Sequence, residues 1–190
     1  MEWYQTFFRH NRRWSFIELI CFLILLCIAT IISFILLKKN KILLSQSISG
    51  LMLLSFIIII LEATVFTRPS TGMHKYELRL FWSWAKVFKG NYMIAIEIVI
   101  NILLLVPIGV LIPIVFHKKL EWWKGLIIGL IISCVIEVGQ LVFCRGLFEW
   151  DDMIHNSVGC MLGCILTEKY LKLKNNNSLQ IKSQAEINEL

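Results

Sequence analysis

Charge is scarce in this sequence: Asp, Glu, Lys and Arg make up 17% of its 190 residues, against about 25% in an average soluble domain. Proline is scarcer, with three copies, two of which (Pro107 and Pro113) fall inside a single apolar run. The six cysteines (Cys21, Cys27, Cys134, Cys144, Cys160 and Cys164) form no C-x-x-C pair and no Cys/His metal spacing, so neither a zinc site nor a thioredoxin-like site is expected. They read as small packing residues, and Cys144 alone falls near a predicted membrane surface. G-x-S-x-G, H-E-x-x-H and P-loop patterns are absent too. What the chain has in excess is apolar surface, with 57% hydrophobic residues, seven Trp, twelve Phe and a mean hydropathy of +0.72. Because these residues come in long unbroken runs, a soluble enzyme, a disordered chain and a nucleic-acid-binding module are excluded. The expected class is all-α: a polytopic transmembrane helix bundle.

Five runs, 14–37, 42–66, 93–116, 122–143 and 153–171, each approach the roughly 20 residues that cross a hydrocarbon core of about 30 Å. The first ends in Lys38-Lys39-Asn40-Lys41 without a small-residue cleavage site, so it is expected to stay as a span. This divides the chain into an N-terminal arm with the first helix (1–41), a four-helix core (42–171) and a polar, disordered tail (172–190). The connection 67–92 is longer than an idle loop, and its Phe81-Trp82-Ser83-Trp84 run reads as an interfacial aromatic belt or re-entrant segment. The net charge of +6 is assigned to membrane topology and anionic headgroups, and no nucleic-acid partner is expected. Lysines packed into the short turns 38–41 and 117–121 place those turns and the C-terminus in the cytoplasm and the N-terminus outside, against the opposing pull of Arg9, Arg12 and Arg13.

An ionisable group inside a span costs about 2.5–3.5 kcal/mol on insertion scales, so each one calls for a role. Glu18 sits at a helix end within reach of water, and Glu62 is placed to pair with Arg68 or join a site. Glu97 and Asn101 share one helical face. Ser133, Glu137 and Gln140 form a polar stripe on the fourth span, and Asp152, Asn156, Gly159 and Gly163 form one on the fifth. Such stripes must face protein or water. Gly159-x-x-x-Gly163 is expected to bring the fifth span against the fourth, as is Gly125-x-x-x-Gly129 from the other side. Between the stripes, Arg145 offers a fork suited to phosphate or carboxylate. Asp151 and Asp152 fit a helix N-terminus, where one of them would act as a cap. The acids match no calcium loop, so ion pairing is expected in preference to a metal.

The ordered set Asn101-Ile-Leu-Leu-Leu-Val-Pro107-Ile-Gly109, Glu137-Val-Gly-Gln140, Arg145 and Asp151-Asp152-Met-Ile-His-Asn156-Ser-Val-Gly159-x-x-x-Gly163 resembles the VanZ-like family of bacterial membrane proteins. The likeness covers residues 60–167 and departs from the family at Val106, where Phe is usual. It implies a multi-pass protein of the bacterial cytoplasmic membrane, related to members associated with resistance to teicoplanin and other lipoglycopeptides. It carries over no catalytic residue and implies no cofactor.

The expected function is therefore non-enzymatic. An outer-leaflet pocket of Glu137, Gln140, Arg145, Asp152, Asn156 and Asn101 would bind a membrane lipid, a lipid-linked wall precursor or a lipoglycopeptide, with Pro107, Gly109, Gly159 and Gly163 shaping the backbone. The rivals are an intramembrane enzyme acting on a headgroup through Glu137, Asp152 or His155, a small lipid transporter or flippase, and a bundle whose polar stripes only join helices.

Overall fold

The computed structural model describes residues 12–188, with side chains through Lys174. Helix α1 (Phe16–Lys38) begins on a capping box. Ser15 accepts from the Glu18 amide at 3.2 Å, Glu18 accepts from the Ser15 amide at 2.7 Å, and Arg12 pairs with the same carboxylate. The charge of Glu18 is thus used at the helix end, as its position suggested. Helix α2 (Leu44–Leu61) closes in a π-helical turn over Glu62–Phe66. There follow a short strand β1 (Lys75–Glu77), helix α3 (Trp82–Phe88), helix α4 (Tyr92–Phe116), helix α5 (Trp122–Val142), strand β2 (Leu147–Glu149) and helix α6 (Trp150–Asn188).

The all-α polytopic bundle is what the structure shows. Helices α1, α2 with its π turn, α4 and α5 are long and apolar enough to cross a membrane. The fifth expected span lies in α6, which is long but too polar to qualify by composition. Its position explains the polarity, because it packs chiefly against α4 and α5 and so meets protein rather than lipid. The core gathers around Leu105, Ile108 and Ile112 of α4, Ile136 of α5 and Cys160 of α6, with Ile60 and Val65 from the α2 end. The segment 172–188, expected to lack regular structure, continues α6 as helix. Nothing after Gly163 is Gly or Pro, so the chain carries no stop signal there.

Small residues set the spacing: Gly125 and Gly129 join the fourth span to α6 as expected, and the other glycine pair finds a different neighbour. A Cβ on Gly159 would land on the Ile102 carbonyl oxygen, and one on Gly163 would land on that of Val106, so this face of α6 meets the third span, α4, and not the fourth. The fourth span supplies its own close approach. On Gly129 a Cβ would lie 2.8 Å from the Ser157 Cα, and on Gly125 it would lie 2.8 Å from the Cys164 Sγ. Two small-xxx-small faces thus hold α6 between α4 and α5. Pro107 and Pro113 both lie within α4.

The connection 67–91 is folded over one end of this bundle. Strand β1 pairs in parallel with β2, Tyr76 opposite Phe148, which ties the loop to the short segment before α6. The opposite end carries the turns 39–43 and 117–121 and the outgoing part of α6.

Candidate functional site

Glu137 and Asp152 enter from facing helices beneath the loop. On α5, Ser133, Glu137 and Gln140 are all buried, with Glu137 only 1% exposed. Its Oε2 accepts from the Glu149 backbone amide at 3.0 Å, so the carboxylate holds β2 in place. Opposite, Asp152 Oδ1 accepts from the Asn101 Nδ2 of α4 at 2.6 Å. One turn deeper, the Asn156 Nδ2 donates to Ser133 Oγ at 2.7 Å. The Asn156 side-chain amide oxygen, Oδ1, has no hydrogen-bond partner, although the residue is 2% exposed. Three helices thus converge on one polar layer, and Glu137, Asp152, Asn101 and Asn156 meet as the stripes predicted.

Arg145 does not join them. The left-handed Cys144 (φ 52°) and a bond from the Arg145 amide to the Gln140 carbonyl (2.8 Å) close the end of α5 and swing the guanidinium onto the Phe66 carbonyl, near Glu62. Gln140 packs under the Gly146 turn. The cation facing the acids is Arg68, within electrostatic reach of Glu97, Glu137 and Asp152. Arg68 is therefore not the partner of Glu62, whose nearby charges are Glu18, Arg12 and Arg145 and whose Oε2 is unpartnered. The excess of carboxylates over lysines and arginines in the stripes was the one signal that a further cation had to arrive from a loop.

Most of the remaining polar groups hold the loop down. Asp151 caps α3 rather than its own helix: it accepts from the Phe81 amide at 2.6 Å, the Ser83 amide at 3.0 Å and the Ser83 hydroxyl at 2.5 Å. Trp82 Nε1 donates to Glu149 at 3.0 Å, and Trp84 Nε1 donates to His155 Nε2 at 3.0 Å. Since an indole N–H only donates, Nε2 must be the acceptor and the proton of the neutral ring sits on Nδ1. The lone pair that a general base would need is therefore already engaged. Glu149, in the segment between α5 and α6, has its carboxyl pushed up to about 7 by burial and then by the nearby charge of Asp152. The pairings of Trp82 with Glu149, Trp84 with His155 and Ser83 with Asp151 are invisible in the sequence because the partners lie about seventy residues apart. Among the described residues, no group of three or more His, Cys, Asp or Glu side chains is arranged to hold a metal ion.

A family model described as VanZ/LLP1 matches residues 22–171. That range begins inside α1, earlier than the core expected from 42. No curated protein and no solved structure matches the chain.

Proposed function

The chain belongs to the VanZ/LLP1 family of membrane-helix proteins, and from that membership we propose that it binds the polar head of an amphiphile in the layer formed by Glu137, Asp152, Asn101 and Asn156 beneath the 67–91 loop. The observation that carries the reading is the Asn156 side-chain amide oxygen, buried and without a donor. An unmet buried acceptor costs about 1–3 kcal/mol, so a ligand that donates a hydrogen bond there is selected over one that cannot. The charges narrow the ligand further. Glu97, Glu137, Glu149 and Asp152 lie within electrostatic reach of one another, with Arg68 near the first two and Asp152, so the layer favours a head rich in hydroxyl, amide or amine donors. A bare phosphate would meet repulsion there. A lipoglycopeptide meets this requirement, as does the sugar and peptide part of a lipid-linked cell-wall precursor with its linking diphosphate left outside the layer, and binding either would account for a contribution to teicoplanin resistance. Glu97 is exposed and Arg68 half-buried, which marks the side by which a head would enter.

Two measurements test this. In lipid nanodiscs, Asn156→Leu and Glu137→Gln should each weaken binding of a lipid-linked precursor or teicoplanin about tenfold, which corresponds to about 1.4 kcal/mol. In a susceptible bacterium, expression of the parent chain should raise teicoplanin tolerance, and the same variants should reduce that gain. Variants that insert and melt like the parent yet bind and protect equally well overturn the reading.

A further inference from the structure

On the face away from the loop, a groove of about 570 Å³ runs between the start of α5 and the middle of α6, lined by Glu121, Trp122, Trp123, Ile165, Glu168, Lys169 and Lys172. We propose that it holds the head and glycerol region of one anionic phospholipid of the phosphatidylglycerol type. Nothing in this inference uses the polar layer beneath the loop, so the two stand or fall separately.

The α6 side of the groove is a single face, since 165, 168, 169 and 172 recur at i, i+3, i+4 and i+7. Along that face the chemistry changes in order, from Ile165 toward the bundle, through Glu168, to Lys169 and Lys172 at the outward end. This is the polarity order of a phospholipid, from acyl chain through glycerol to phosphate. The facing wall begins at the first residues of α5, with Trp122 58% and Trp123 43% exposed, at the level where a membrane-crossing helix enters the interface. The volume suits a headgroup and its glycerol.

Charge selects within that class. Lys124 is occupied, 3.7 Å from Glu121 and 5.2 Å above the Trp123 ring. Lys169 and Lys172 then stand against Glu168 alone, leaving one positive charge for one phosphodiester. Lys118 and Lys119, in the adjoining turn, add to the attraction. Glu168 can accept from a hydroxyl of the terminal headgroup glycerol folded back beside the phosphate; the backbone glycerol, fully esterified, has none to offer. A choline headgroup has no such donor and brings its own cation.

The test uses the full-length protein in detergent micelles, with tryptophan quenching by phosphatidylglycerol carrying brominated acyl chains. Half-saturation is expected at about tenfold lower mole fraction than for the brominated phosphatidylcholine. K169Q/K172Q should abolish the difference while retaining the helical melting transition. Sodium phosphate at millimolar concentration should leave the quenching in place. Equal quenching by the two lipids, or an unchanged preference in K169Q/K172Q, overturns the proposal. Displacement by phosphate overturns it too, in favour of a free-anion site. The Glu137→Gln protein should show the parent's preference.

Discussion

Helices α1 and α6 are both long, and they do opposite things. In α1 no residue is buried, its apolar side chains face outward along its length, and it packs principally on α2. In the first half of α6, Asp151, His155, Asn156, Ser157 and Thr167 are buried, the first two against α3 and Asn156 and Thr167 against α5 and α4. Apolar composition therefore reports contact with lipid, and it says little about where the chain is closely packed. The helix least able to face a bilayer is the one held between two others, α4 and α5.

The sharpest contrast comes from steric change. Gly159→Leu in α6 sets a side chain against the Ile102 carbonyl and should cost about 3 kcal/mol or more, read as loss of monodisperse protein in size-exclusion chromatography. Asp151→Ala leaves the Phe81 and Ser83 amides and the Ser83 hydroxyl without their acceptor. A loss of about 2 kcal/mol is expected, concentrated as faster hydrogen exchange over 81–90. Protonation gives a smaller effect. The Glu149 carboxyl is raised from 4.5 to about 7 in the fold, so its contribution is fully present below the unfolded value and is lost as the pH rises through 7. The melting temperature should fall between pH 5 and 8, and Glu149→Gln should flatten that slope. Smallest of all, Ile24→Leu on the exposed face of α1 should change stability by no more than about 0.5 kcal/mol. A cost comparable to that at Gly159 would show that α1 is packed more tightly than its exposure indicates.

The bundle was legible in the sequence because a span must be apolar for about twenty residues, and periodicity then fixes its faces. Ser133 with Glu137, and Asp152 with Asn156, were found in that way and do meet. The glycine pairs were recognised as contact faces, but a glycine says how near a neighbour comes and nothing of which neighbour it is. Gly159 accordingly found α4 where α5 was expected. Arg145 and Arg68 were exchanged for a similar reason. Both lie just beyond a helix end, and the left-handed turn at Cys144 that redirects Arg145 has no periodic signature. The clamp of Trp82, Trp84, Asp151 and Glu149 was out of reach altogether, since it joins segments whose separation along the chain carries no pattern.

The enclosed position of α6 also bears on how the molecule is made. A ribosome delivers the helices in order, so α6 emerges after α4 and α5. With Asp151, Asp152, His155 and Asn156 in its first two turns, it would enter a bare bilayer at a cost of about 2.5–3.5 kcal/mol for an acid near the centre. The seam between α4 and α5, with Gly109, Gly125 and Gly129 already facing it and Asn101 ready to meet Asp152, offers a berth that the lipid does not. A chain truncated after α5 keeps its lipid-facing spans but presents an open slot between α4 and α5 where α6 packs.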